Sequence, residues 1–333
     1  IIVPIFFSLI FCVGLIGNSL VITVMMKMYR YQAQHGLNNT NRFILNLAIS
    51  DLFFLIFCVP FQATIYSLPS WPFGSFMCSF CEVCQNVTMI ASIFTLVALS
   101  FDRFFAVVYA TSAKQLRTRT NANRGLIFIW VAAVGIGTPS ALTRAQQVSH
   151  TGSRLTLCVP NANMGTWYVG YQLISFLLGY LLPLLIILSC YVGVLLAMCK
   201  NARSSALVRS NNARGSRKRV TRVVIMVVKI IFMVFCLKLL SKKRNCIYGV
   251  LFKIHYLKIK IVFMVIVFTI NWFPHHLVAM WTSFGDFPYT SETFVLLILG
   301  HCLSYANSCL NPLVYAFVSN RFRADFKKAF TCQ

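Results

Sequence analysis

Residues 90–108 read IASIFTLVALSFDRFFAVV, an apolar run whose only charges, Asp102 and Arg103, stand side by side near its end. Charge inside hydrocarbon is costly, so an acid and a base at the lower end of such a run mark either an anchored interface or a switch. The pattern around the pair favours the switch.

The chain on both sides repeats the same kind of block. It is 58% hydrophobic and only 11% charged, and its apolar blocks are roughly 20 residues long, enough to cross about 30 Å of hydrocarbon as helix. Spans are expected near Ile2 to Met26, Phe43 to Ser67, Phe76 to Val108, Gly125 to Leu142, Trp167 to Cys199 and Glu292 to Phe317. A further block, Arg219 to Ser283, is too long for one span. The blocks are continuously apolar and lack the alternation of a lipid-facing strand, so they are helices and not barrel strands. The fold class is an all-α membrane protein, with residues 1–333 forming one domain in the lipid bilayer and no soluble domain left over.

The net charge of +24 raises nucleic acid as a partner, but its placement argues against that. Lys27, Arg30 and Arg42 flank the first connection, Lys114, Arg117, Arg119 and Arg124 the third, Lys200 to Arg222 the fifth, and Arg321, Arg323, Lys327 and Lys328 the tail. Every second connection is basic, the signature of the cytoplasmic side. The intervening Ser67 to Ser75 carries no charge and the long loop before Trp167 only Arg144 and Arg154. The N-terminus is expected outside and the tail inside, which requires an odd number of crossings; seven fits. The chain opens at Ile1 within a span, so an outer segment is expected upstream. Asn38-Asn39-Thr40 and Asn86-Val87-Thr88 match the glycosylation pattern but fall on the cytoplasmic side and inside a span, and are read as false positives.

Most of the thirteen cysteines, such as Cys12, Cys58 and Cys190, lie among apolar residues as small hydrophobes. Cys78 at the outer start of the third span and Cys158 in the long outer loop face an oxidising compartment. They are expected to bridge and hold that loop over the bundle mouth; the alternative is two free thiols. Cys332, beside a basic amphipathic segment at 319–331, is a lipidation candidate.

Polar residues inside spans must be compensated. Asn18, Ser92, Asn307, Ser308 and Asn311 each suit helix packing. Asp51 does not. A carboxylate midway through a span, among hydroxyl and amide oxygens, suits a hard monovalent cation or a proton.

Gly17-Asn18, the run Leu45 to Asp51, Trp71-Pro72-Phe73-Gly74 before Cys78, Asp102-Arg103-Phe104, Trp130, Pro183 with Tyr191, Trp272-Phe273-Pro274, and Asn311-Pro312-Leu313-Val314-Tyr315 together resemble the rhodopsin-like G-protein-coupled receptors. Ser92 to Leu96, Gly179 to Leu184, Arg219 to Arg222, Pro274-His275-His276 and Tyr305 to Pro312 look like the allatostatin-A and galanin receptor group; somatostatin-like, opioid-like and kisspeptin-like receptors share much of this scaffold.

The resemblance implies a seven-helix bundle in the plasma membrane with a short cytoplasmic amphipathic helix, an extracellular neuropeptide as ligand, and a heterotrimeric G protein, arrestin and a receptor kinase as partners. It implies that Arg103 pairs with Asp102 at rest and turns toward the G protein on activation, supported by Tyr191 and Tyr315. Pro274 removes a helix hydrogen bond above Trp272 and lets the cytoplasmic half of its span swing, and Asn311-Pro312 belong to the same switch. Asp51, Ser92, Asn307 and Asn311 look like a sodium pocket that favours the resting state; no other cofactor or metal is expected. Where many of these receptors place an acid to hold Arg103, this chain reads Arg217-Lys218-Arg219, so that lock is absent.

Receptors for amines resemble one another in an Asp on the third span, and that position here is Gln85, which disfavours an amine. Gln85, His275, His276, Trp281, Phe284 and His301 are expected to line the mouth with neutral polar and aromatic groups, which suits an amidated, aromatic-containing peptide. For the two histidines the bland reading is a helix end wetted by water.

The block from Arg219 to Ser283 departs from the pattern. Val223 to Val228 joined to Ile266 to Pro274 gives the usual span, and Lys229 to Val265 is extra. The extra stretch holds seven Lys and no Ala, Pro, Thr, Asp or Glu, and reads like translated intron. As an extra hairpin it would invert the last span against its basic tail, and within the span it would separate two halves that must move as one. A genuine long insertion is the alternative.

A transporter would also tolerate Asp51, but no internal repeat accompanies it. An enzyme would need a nucleophile and base or clustered ligands, and the only acids are Asp51, Glu82, Asp102, Asp286, Glu292 and Asp325.

Overall fold

The computed structural model describes residues 2–31, 38–109, 112–149, 155–161, 165–207, 247–288, 290–318 and 320–330. Span one is Ile2–Tyr31; span two is Asn39–Phe57 continued by Val59–Ser67; span three is Gly74–Val108; span four is Arg119–Gly137 with a closing 3-10 turn, Thr138–Leu142. Span five runs from Gly165–Phe176 through the π turn Leu177–Leu181 into Leu182–Leu207, span six is Ile247–Phe284, span seven is Ser291–Val318, and the short helix Asn320–Phe330 follows. Six of these helices are long and apolar enough to cross a membrane by the residues described. Span six packs between spans five and seven and completes the bundle of seven.

Helix ends overrun the apolar blocks because polar caps set them. Asn38 accepts the Asn41 backbone N–H at 2.9 Å and starts span two ahead of Phe43, while Thr118 accepts that of Asn121 at 3.2 Å and starts span four ahead of Gly125. Asn38 is thus a helix cap, and Asn86 donates to the Glu82 carbonyl inside span three. Irregularities follow proline: span two breaks at Cys58 ahead of Pro60, and span five takes its π turn ahead of Pro183, with the Leu182 N–H reaching back to the Leu177 carbonyl. Spans three and four touch closely enough at Gly137 that a Cβ there would lie 2.7 Å from the Val87 nitrogen.

The bundle is polar inside and apolar outside. Asn18, Ser50, Asp51, Ser92, Thr95, Asn307 and Asn311 are buried, whereas Ile127, Phe128 and Val131 of span four are about two-thirds exposed, at 65%, 68% and 66%. Such an inversion suits lipid as the outer solvent. Trp130 ties three spans together: its Nε1 donates to Asn46 Oδ1 at 2.8 Å, and Asn46 donates to Thr95 at 2.8 Å.

At one end of the bundle the strands β1 (Arg144–Ser149) and β2 (Leu155–Pro160) form an antiparallel hairpin with Gln146 opposite Cys158. Cys158 is disulfide-bonded to Cys78 at the start of span three. Trp71 wedges beside the bridge, its backbone N–H on the Thr156 carbonyl and its indole on the Gly74 carbonyl at 2.8 Å; Gly74 itself has φ +76°, which reserves that position for glycine. At the opposite, basic-loop end, Phe322 of the short helix is buried in the cluster containing Val24, Met28 and Leu47, and Lys27 donates to the Ala329 carbonyl at 3.0 Å while lying 4.6 Å over the Phe330 ring.

Span six takes the last part of the extra stretch into its helix. The first part of the extra stretch lies outside the described residues, but from Ile247 one helix runs unbroken through Val265 and Pro274 to Phe284. Val265 packs with Ile187, Tyr191 and Val194 of span five. The reason is compositional: residues 259–265 read IKIVFMV, a sequence as able to continue an apolar helix as Val223 to Val228.

Candidate functional site

Three clusters lie along the axis of span three. In the middle, Asp51 is fully buried. Its Oδ1 accepts the Ser92 hydroxyl at 3.1 Å and the Ser308 hydroxyl at 3.0 Å, and its Oδ2 accepts Asn311 Nδ2 at 2.8 Å. Ser92 also meets the Ser50 hydroxyl at 3.0 Å. Asn18 donates to the Ser308 carbonyl at 2.8 Å and leaves its Oδ1 buried without a partner among the described residues. Asn307 is not one of Asp51's partners: its Oδ1 faces Asn271 of span six, at 3.3 Å. Ser308 stands where Asn307 was expected, one residue on and so turned about 100° around the helix.

At the hairpin end, Gln85 accepts the Tyr305 hydroxyl at 2.7 Å, Gln62 accepts it at 3.4 Å, and His301 is hydrogen-bonded to the Tyr66 hydroxyl. The His275 ring lies 5.6 Å from that of His301 and 5.2 Å from that of His276. His276 is not at the mouth. It is 1% exposed, between Phe176, Tyr180 and Trp272, and its Nε2 is without a partner among the described residues. Adjacent helix positions point in different directions, so His275 faces span seven and His276 faces span five. Trp281 and Phe284 lie farther out, exposed, with Trp281 against Phe287, and do not converge with Gln85.

Beneath the hairpin lies a charged pair. Arg144, the first residue of β1, places Nε 2.7 Å from Glu82 Oε2, and Glu82 Oε1 accepts Asn86 Nδ2 at 3.0 Å. Burial works against the Arg144 charge, but the Glu82 carboxylate together with the Tyr305 and Tyr168 phenol groups outweighs it, and the guanidinium pKa rises above its ordinary value.

At the basic-loop end, Asp102 is buried and does not pair with Arg103. Its Oδ1 holds Arg117 Nε at 2.9 Å and its Oδ2 accepts the Thr40 hydroxyl at 2.7 Å, while Arg103 is exposed. Neighbours at i and i+1 do not face each other on a helix, which is why the expected pair does not form. Tyr191 is buried and packs against Phe104. Trp272 is buried beneath Pro274, and Pro312 lies within span seven. The Tyr315 side chain, Cys332 and the basic run Arg217-Lys218-Arg219 lie outside the described residues.

A sequence profile described as 7 transmembrane receptor (rhodopsin family) matches residues 17–315. The chain belongs to the rhodopsin family of seven-transmembrane receptors. Within that family it is 37% identical to galanin receptor type 1 of Rattus norvegicus over 98% of this chain and 81% of that one. It is 37% identical to galanin receptor 2b of Danio rerio over 100% of this chain and 75% of that protein, and 35% identical to galanin receptor type 2 of Homo sapiens over 98% and 72%. It is a signalling receptor and not an enzyme.

As a rhodopsin-family receptor it holds Ser92 and Asn311 on Asp51 and sets Gln85 and His301 against Tyr305, with His275 beside His301. The sequence reading named Ser308 as a polar span residue without pairing it to Asp51, and gave no site role to Gln62, Tyr66, Tyr305, Thr40, Arg117, Glu82 and Arg144. Glu82 did carry a signal: a lone acid one helical turn after Cys78, inside an apolar span, demands a partner. Nothing in the order of residues ties Thr40 or Arg117 to Asp102.

Proposed function

We propose that this receptor binds an extracellular neuropeptide of the galanin or allatostatin-A type at its hairpin end and activates a heterotrimeric G protein at its basic-loop end, from the plasma membrane with its N-terminus outside. The observation that carries the reading is likeness to galanin receptors over nearly the whole chain. Neutral donors and aromatic rings at the mouth suit peptide backbone and aromatic side chains better than a small cation. The exposed Arg103 is the group that meets the G protein, and arrestin and a receptor kinase act on the same end afterwards. A ligand at the mouth reaches that end by biasing the position of span six, whose helix is continuous from Ile247 to Phe284.

Asp51 with the Ser92 and Ser308 hydroxyls offers the oxygen set that a hard monovalent cation takes, and the unpartnered Asn18 Oδ1 is beside Ser308. A sodium ion there would neutralise the buried carboxylate and hold spans two, three and seven in one arrangement.

Nucleotide exchange on purified G protein tests the reading. Galanin-type or allatostatin-A-type peptides are expected to stimulate it. Stimulation only by somatostatin-, opioid- or kisspeptin-like peptides would overturn the ligand class.

A further inference from the structure

Glycine is a poor helix former, so Gly193, inside the Leu182–Leu207 segment of span five, calls for a reason. The reason lies on span three. A Cβ placed on Gly193 would overlap Phe104 Cε2 and lie 3.0 Å from its Cδ2 and 3.6 Å from its Cζ, so one edge of the Phe104 ring occupies the room that a side chain would take. The ring has little freedom to give way. It also meets Phe105 and Tyr109 at centroid distances of 5.6 Å and 5.8 Å, and it packs on the buried cluster of Ile187, Tyr191 and Val194 from span five. Tyr191 is in turn hydrogen-bonded to Ser100, one turn before Phe104 on span three.

Asp102 precedes Arg103 and Phe104 follows it. Successive residues on a helix point about 100° apart, so Asp102 and Phe104 leave span three on nearly opposite sides with Arg103 between them. Both flanking residues are fixed, Asp102 by Arg117 and Thr40 and Phe104 by span five, while Arg103 itself is exposed. We infer that Gly193 is a positioning residue for G-protein coupling: its missing side chain seats Phe104, and the seated ring sets the direction in which the last turn of span three presents Arg103. A side chain at that position would displace a packed ring, and an interior this dense transmits such a misfit to the backbone. The inference rests on the coupling role proposed above for Arg103 and adds a residue on a different span, acting through Phe104.

The test exchanges bulk between the two positions. Galanin-type and allatostatin-A-type peptides serve as probes of G-protein exchange, with peptide affinity and surface level measured in parallel. Gly193→Ala is expected to lower peptide-stimulated exchange about tenfold, the size of a coupling between residues in contact, with affinity and surface level kept. Phe104→Val removes every ring atom that the added Cβ would meet. In that background Gly193→Ala should therefore cost nothing further, and the pair should be strongly non-additive. Helix propensity alone predicts the opposite sign, since alanine is the better helix former. Unchanged or higher exchange in Gly193→Ala thus overturns the inference, as does a loss that persists in the Phe104→Val background or one shared equally by affinity and surface level. Should Gly193→Ala fail to reach the surface, Phe104→Val carries the test by emptying the seat without a clash: exchange should fall with affinity intact, and unchanged exchange overturns the inference. Wild-type silence to every peptide, or full exchange retained by Arg103→Ala, sinks the underlying reading and this one with it; an Arg103-dependent response indifferent to Gly193→Ala sinks this one alone.

Discussion

Span three carries two acids near its ends, and each holds one arginine from a connecting segment. At the hairpin end Glu82 takes Arg144 at 2.7 Å with Asn86 alongside; at the basic-loop end Asp102 takes Arg117 at 2.9 Å with Thr40 alongside. The chemistry is the same and the backing differs. The hairpin-end pair lies one turn from a disulfide on the same helix, so the segment it holds is also covalently tied. The basic-loop-end pair has no covalent support among the described residues, and the residue after its acid, Arg103, stands exposed. On the proposed reading, one end of the helix keeps its shape while a ligand sits on it, and the other changes partners.

The harshest way to break this contrast is Arg103→Ala. It is expected to reduce agonist-stimulated nucleotide exchange to the level of G protein alone while leaving peptide affinity intact; retained exchange would remove Arg103 from the coupling surface. Next in size are Cys78→Ser and Cys158→Ser. Each should cost about 2–5 kcal/mol of stability, read as lower surface level and earlier thermal inactivation, and the double substitution should be little worse than either single one because the same bond is lost. Additive losses would show that the hairpin end does not depend on that bond.

Asp102→Asn should do less to stability and more to signalling. Removing the charge loosens Arg117 and leaves Thr40 with a weaker acceptor, worth about 1–3 kcal/mol at a buried site, and basal exchange without peptide should rise. Unchanged basal exchange would mean that the basic-loop-end pair does not restrain the resting form. The smallest effect separates the two pairs by salt. Arg117 is 35% exposed and Arg144 21%, so raising ionic strength toward about 1 M, where screening acts over roughly 3 Å, should erase the effect of Arg117→Gln on basal exchange. The effect of Arg144→Gln on peptide potency should persist.

The membrane-spanning helices, the basic connections and the Cys78–Cys158 bridge were legible because hydrophobicity and charge act on whole segments. Asp51 was legible because a carboxylate in an apolar block has no bland explanation. What escaped depends on angle around a helix. His276 and Asn307 were assigned to their sites by proximity in sequence, yet a step of about 100° per residue sent each to a different neighbour, and the same step separates Asp102 from Arg103. The helix ends at Asn38 and Thr118 escaped because hydropathy marks the hydrocarbon and not the cap. Span six escaped for the opposite reason: two stretches of this chain read equally well as its inner half, and composition alone does not choose between them.

The length of that helix has a mechanical consequence. Ile247–Phe284 spans 38 residues, or roughly 57 Å at 1.5 Å per residue, nearly twice the roughly 30 Å of hydrocarbon it crosses. Pro274, where the hydrogen-bond ladder is weakest, lies near the hairpin end, leaving an arm of roughly 40 Å beyond it. A tilt of about 10° at that fulcrum displaces the far tip by roughly 7 Å, so a rearrangement of one or two side chains around His275 and Trp272 is magnified, by leverage alone, to a displacement larger than one helical pitch.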